Sequence, residues 1–148
     1  MCIRDSHAQL MKGIMREDDC HELAAMVPRE DIYDYLAEGI QHATQSYVFM
    51  QGKNPKAILG YYSPSMLSEA ISPWAVWAKD VPPRAHRRVM KMTTRHLAGE
   101  FKSLWNLTRR DSKRIHRFLR YLGFLVSDET ECISPMGIEM LRYEFVKW

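Results

Sequence analysis

The segment from Ser103 to Phe124 limits what this chain can fold into more than any other. SLWNLTRR reads as a strand, Asp111-Ser112 as a polar break, and the residues that follow as a basic amphipathic helix. Ile115, Phe118, Leu119 and Leu122 recur at i, i+3, i+4 and i+7, which places them on one stripe of that helix. Gly123 stands where a left-handed C-terminal cap belongs, and Phe124 follows it. The spacing therefore predicts one packed strand–helix–Gly-Phe unit, which needs a sheet to pack on.

The rest of the chain supplies that sheet. Leu10 to Arg16 is a short apolar run suited to a strand, and acids in the first turn of EDDCHELAAMV suit a helix start. A second helical pattern follows from Glu30, with Ile32, Tyr35, Leu36 and Ile40 at helical spacing. SYVFMQ and KAILGYYS are β-rich runs around Gly52-Lys53-Asn54-Pro55, the pattern of a hairpin. Trp74 to Ala78 reads as a buried strand that Val81-Pro82-Pro83 ends. Pro83 then suits the first turn of a long helix to about Phe101, with Met90, Thr93, Leu97 and Phe101 inward. A strand at Thr130 to Ile133, a turn at Ser134 to Gly137 and a strand from Glu139 to Val146 complete the order β α α β β β α β α β β. The expected class is α/β (α+β): one mixed β-sheet flanked by helices, as a single domain over residues 7–148.

A length of 148 residues with 46% hydrophobic content fits one compact core. No run approaches the roughly 20 apolar residues of a membrane span, so a soluble, intracellular protein without a membrane-spanning segment is expected. Cys2, Cys20 and Cys132 form neither a CxxC pair nor an even set, which argues against disulfides and structural zinc. Met1 to Ser6, MCIRDS, reads in frame as the end of a transposon-based sequencing adapter. These residues are expected not to belong to the gene product, and the source is expected to be metagenomic DNA.

Charge is divided along the chain although the net value is only +3. Glu17, Asp18, Asp19, Glu22, Glu30, Asp31, Asp34 and Glu38 face one base, Arg29. From Arg84 to Arg120 the balance inverts, with Glu100 and Asp111 the sole acids. An acidic side and a basic side are expected.

The stretch PRAHRRVMKMTTRHLAGEFKSLWNLTRR, the helix HRFLRYLGF and the order of elements from about Met11 to Phe145 resemble the GNAT acyl-CoA N-acyltransferase superfamily. Within it the chain is most similar to the short GNAT-like internal virion protein A family of podovirus-type tailed bacteriophages. The resemblance implies a loop of the form Arg/Gln-x-x-Gly-x-Gly/Ala, whose main-chain N–H groups meet the pyrophosphate of acyl-CoA at a helix start. Here the matching stretch, Lys79 to Arg87, has no glycine, and Pro82 and Pro83 each remove a donor. Arg84, Arg87 and Arg88 replace that attraction through side chains if a CoA-like group binds; otherwise they are a solvated helix start. Trp77, Ala78 and Ser112 complete the candidate CoA-binding set, Ser112 as helix cap and ligand donor. The tyrosine that many members place five residues before the phenylalanine of Gly-Phe is Leu119 here, and Tyr121 lies about 200° further round the helix.

No general base stands out. Glu69, Asp80 and His86 are the candidates near strand ends, each also explained as a water-facing loop residue. His96 and His116 are expected to face solvent, and no histidine pair has metal-ligand spacing, so no metal site is expected. Trp74, Trp77 and Trp105 read as core and groove wall.

These residues favour a non-catalytic phage protein that docks to virion or internal core proteins, in the host cytoplasm or the virion, with no cofactor. The alternative is an acyl-CoA-dependent N-acetyltransferase with a degenerate CoA loop, using acetyl-CoA. Nucleic-acid binding ranks lowest, because aromatics are not interleaved with the bases.

Overall fold

A computed structural model describes residues 6–146. The adapter reading concerns residues almost all of which lie outside that range. The elements are α1 (Ser6–Leu10), α2 (Glu17–Leu23), a 3-10 turn at Arg29–Asp31, α3 (Ile32–His42), β1 (Gln45–Gln51), β2 (Asn54–Tyr62), β3 (Ala70–Trp77), α4 (Pro83–Glu100), β4 (Ser103–Arg109), α5 (Lys113–Leu122), β5 (Leu125–Ile133) and β6 (Glu139–Val146). The strands form one sheet in the order β1-β2-β3-β4-β6-β5. Neighbours are antiparallel except β3 and β4, which α4 joins as a crossover and which run parallel.

The mixed sheet expected from the sequence is present, with corrections: β3 starts at Ala70 rather than Trp74, and β5 at Leu125 rather than Thr130. Leu10–Arg16 is the end of a helix followed by turns, and its one β-bridge is the antiparallel pairing of Met15 with Ala78. Its apolar residues are there to fill the core: Met11 is fully buried against α3 and the sheet. The hairpin forms at Gly52, whose φ of 62° suits glycine, and Asn54-Pro55 belongs to β2 rather than to the turn.

The unit from β4 to Phe124 packs as the spacing predicts. Leu119 and Leu122 join Leu97 and Ala98 of α4 on Ile71, Leu104 and Phe124. Gly123, at φ 102°, ends α5: its N–H donates to Arg120 O at 3.0 Å, and the Phe124 N–H donates to Leu119 O at 3.0 Å. Both bonds of a Schellman cap are therefore made. On a second core cluster, Ile32, Leu36 and Ile40 of α3 pack with Cys20 of α2 against Ile58, Val76 and Ala78.

Candidate functional site

The site begins where the sheet fails. β3 and β4 are paired only at Ala70–Ser103 and Ile71–Leu104; beyond these residues they diverge, and their facing edges lose each other as hydrogen-bond partners. Buried edge groups need other partners, and side chains provide them. Asn106 Nδ2 donates to Pro73 O across the split at 2.9 Å. The Trp77 N–H on β3 donates to Asp19 Oδ2 at 2.8 Å. On β4, Thr108 Oγ1 donates to Glu22 Oε1 and the Arg109 N–H donates to Glu22 Oε2, both at 3.1 Å.

Asp19 and Glu22 stand three residues apart on one face of α2, so a single helix spans the split. Main-chain contacts hold it there. The Arg16 N–H donates to Trp77 O at 2.8 Å, and Arg109 Nη1 donates to His21 O at 3.2 Å. A cavity of about 900 Å³ opens around this junction, with acids such as Asp19, Glu22 and Glu38 and bases such as Arg87 and Arg114 in its lining.

Asp19 has an unusual environment. Burial raises its carboxyl to about 7, more than the Trp77 N–H bond and the Arg16 guanidinium lower it, and Asp18 and Glu22 add to the rise. His86, also in the lining, moves the opposite way, lowered to about 4 by burial and then by Arg16 and Arg87. Its ring lies 4.6 Å from that of Trp77 and 4.7 Å from that of Phe118, and Arg16 Nη1 is 3.2 Å from both ring nitrogens. Burial, then the nearby Glu22, raises the Tyr143 phenol.

The turn before α4 is tied to the N-terminal segment. The Lys79 N–H donates to Ile14 O at 2.7 Å and Lys79 Nζ to Gly13 O at 3.0 Å. Pro83 opens α4 and the His86 N–H is already bonded to Pro82 O at 3.1 Å, so the Arg84 and Ala85 N–H groups of the first turn have no carbonyl partner within the helix.

The sequence-derived candidates divide in position. Trp77 and Arg87 line the cavity, whereas Arg84 and Arg88 are exposed at the start of α4. Ala78 is fully buried, its N–H donating to Lys56 O at 2.9 Å. Ser112 makes no side-chain cap; its Oγ is buried without a hydrogen-bond partner, because ψ of 61° does not point it at the helix N–H groups as expected. Leu119 is buried while Tyr121 is half exposed.

Of the base candidates, only His86 is in the cavity lining. Glu69 pairs with Lys102 and Asp80 with Lys56, both as exposed carboxylates. His116 corrects an expectation: it is 3% exposed, with Nε2 2.8 Å from Arg109 O, because the turn after β4 folds back over it. Asp19 and Glu22 are not singled out in the sequence, where they read only as acids of a helix, Asp19 in its first turn and Glu22 beyond it. Among the described residues, no cluster of three or more His, Cys, Asp or Glu side chains could hold a metal ion.

No protein-family model matches the sequence, and a comparison with curated proteins returns no match. Solved structures do match. A spermidine N-acetyltransferase chimera from Vibrio cholerae superposes with a TM-score of 0.69 at 11% identity, covering 99% of this chain and 93% of that one. Ribosomal-protein-alanine N-acetyltransferase from Brucella melitensis gives 0.65 at 10% identity, covering 99% and 98%. A Bacillus subtilis acetyltransferase in complex with CoA gives 0.57 at 12%, covering 90% and 94%. A Chromobacterium violaceum chain assigned to the GNAT family gives 0.69 at 13%, covering 96% and 80%. The architecture is the GNAT acetyltransferase fold, and at these identities the likeness concerns the fold alone. Among the described residues no helix is long and apolar enough to cross a membrane.

Proposed function

We propose that the protein is an acyl-CoA-dependent N-acyltransferase whose acyl donor lies in the β3/β4 split and whose proton acceptor is Asp19. The observation that carries this reading is a partly buried carboxylate, hydrogen-bonded to the edge of β3 at the split and raised to about 7, where a base is both partly ionised and basic enough to take a proton from an ammonium. CoA-bound structures of the same fold support it.

In this scheme the acceptor amine loses a proton to Asp19, and its nitrogen lone pair attacks the thioester carbonyl carbon. The C–N bond forms, the C–S bond breaks, and the second proton of the attacking nitrogen passes through water to the departing thiolate, since Leu119 has none to give. Arg84, Arg87 and Arg88 pair with the donor's phosphates, joined by the Arg84 and Ala85 N–H groups. Trp77 and Ala78 border the donor on β3, and the Ser112 hydroxyl has bonding capacity to spare at the start of α5. Calorimetry with acetyl-CoA on the parent and on an Arg84→Ala/Arg87→Ala variant tests the reading, with thiol release over a panel of amines. Saturable binding that weakens at least tenfold in the variant is expected; no heat from the parent contradicts it.

A second reading, a non-catalytic phage protein that docks to virion or internal core proteins, is favoured by the glycine-free Pro82-Pro83 turn and by Leu119 in place of a tyrosine. It predicts no acetyl-CoA binding together with co-purification with virion proteins.

A further inference from the structure

Two basic stripes flank the cavity at the split. On α4, Arg84, Arg88, Lys91 and Arg95 recur at i, i+4, i+7 and i+11. On α5, Lys113, Arg117 and Arg120 recur at i, i+4 and i+7. All are exposed except Lys91, which is half-buried. Lys91 Nζ lies 5.3 Å from the centre of the Tyr121 ring, and the His86 ring stacks on Phe118 at 4.7 Å, so the two helices hold their stripes side by side. Among the described residues none of these bases has an ion-pair partner. Glu100, the last residue of α4, is the one acid on either helix, and it pairs with His96. Arg87 and Arg114, both exposed, line the cavity near the starts of α4 and α5, so it opens to solvent beside the stripes. Like charges gathered without partners repel one another, and a surface of opposite charge relieves that repulsion. Exposed Asp31, Asp34 and Glu38 lie away on the 3-10 turn and α3, where they repel an acidic partner and leave it one face to meet.

The start of α4 offers little to a diphosphate. The stretch from Lys79 to Arg87 has no glycine, Pro82 and Pro83 carry no N–H, and the first turn contributes the Arg84 and Ala85 N–H groups alone. A pantetheine thioester reaches an enzyme in two forms, on the diphosphate of CoA or through a single phosphodiester on a serine of a carrier protein. We propose that the preferred donor is the second form: an acyl-pantetheine arm borne by an acidic carrier protein, whose carboxylates dock on the stripes of α4 and α5 while the arm enters the β3/β4 split. This donor rests on the acyltransferase reading and specifies its thioester. One phosphate asks for fewer amides than two, and the affinity that CoA would draw from a diphosphate cradle comes instead from carboxylates on guanidinium groups. The transfer step keeps its balance: the acyl C–S bond breaks, the amide C–N bond forms, and the carrier departs with its arm as the free thiol. Acetyl-CoA has the same arm and thioester, so it enters the same split with lower affinity.

The test uses the full chain and three probes: acetyl-CoA, the acetylated pantetheine arm on a purified acidic acyl carrier protein, and a single-stranded DNA of about 20 nucleotides. Calorimetry gives Kd for the parent and for Arg117→Glu/Arg120→Glu, with Arg95→Glu on the other helix as a second variant should the first not fold. The parent is expected to bind the acetyl-carrier about tenfold tighter than acetyl-CoA, an advantage lost at about 0.5 M salt. The double variant should bind the carrier about tenfold more weakly and Arg95→Glu about threefold more weakly, while acetyl-CoA affinity stays within about twofold. A parent that binds acetyl-CoA at least as tightly as the carrier, or folded variants that leave carrier binding unchanged, overturns the carrier and leaves the acyltransferase reading intact. DNA that binds more tightly than the carrier does the same, and assigns the stripes to a nucleic acid. If neither acetyl donor binds, the acyltransferase reading fails and the carrier falls with it.

Discussion

Asp19 Oδ2 accepts the Trp77 N–H at 2.8 Å, linking two residues 58 positions apart at the point where the central strands separate. The bond places a carboxylate against a strand edge in an interior that resists charge. Its dominant energetic cost is desolvation, which the Trp77 N–H and Arg16 offset only in part.

The pH dependence of transfer follows from that balance. A base must be ionised to act, so kcat/KM for amine acylation should rise with pH through an apparent value near 7 and then level. Asp19→Asn should lower kcat by about 10² to 10⁴ and abolish this limb. Stability moves the other way. The folded chain holds a proton on Asp19 that the unfolded chain releases near the ordinary carboxylate value of about 4. The contribution of Asp19 is therefore fully present below about 4 and is lost as pH rises to about 7. Denaturant unfolding of the parent against Asp19→Asn across that range measures it.

His86 gives the opposite slope. Its folded value, about 4, lies below the ordinary imidazole value of about 6.5. The unfolded chain binds the proton first as pH falls, so its contribution is present above about 6.5 and is lost on the way down to about 4. His86→Phe, which keeps an aromatic ring between Trp77 and Phe118, should flatten this part of the stability curve. The difference between the two proteins' unfolding free energies from pH 4 to 7 is the readout.

Two glycines should respond oppositely to alanine. A Cβ at Gly60 would stand 2.6 Å from Trp74 Cζ2, 2.8 Å from Trp74 Cε2 and 3.0 Å from Gln45 O, so Gly60→Ala should destabilise by about 1–3 kcal/mol. A Cβ at Gly39, inside α3, meets nothing within 4 Å. Gly39→Ala should stabilise by about 0.5–1 kcal/mol through helix propensity. Chemical denaturation of the two variants against the parent checks both signs.

What the sequence made legible was local periodicity. The stripe from Ile115 to Leu122 and its Gly123 cap, the proline start of α4 and the β1–β2 hairpin depend on residues close together in the chain, and the structure has each of them. Leu10–Arg16 misled because a short apolar run carries no period of its own, and burial of Met11 satisfies it equally well in a helix and turn. His116 sits among bases in sequence, but its burial depends on the Arg109 carbonyl reaching it across the turn. Asp19 and Glu22 were invisible as site residues for a similar reason. Their spacing is that of any helix start, and only the failure of β3 and β4 to pair beyond Ile71 and Leu104 gives them something to bind. The missing glycine loop was readable, but it showed how a donor's phosphates are not held rather than whether a donor is held.

The most direct test of the donor site is a ¹H–¹⁵N correlation titration of the full chain with acetyl-CoA, following the main-chain N–H signals of Trp77 and Arg109 and the Trp77 indole, whose buried Nε1 has no hydrogen-bond partner. Acyl-donor binding in the split predicts saturable shifts of all three signals, while amides of β5, at the far edge of the sheet, stay in place. Saturable shifts confined to other surfaces, or no shifts at millimolar acetyl-CoA, would contradict it.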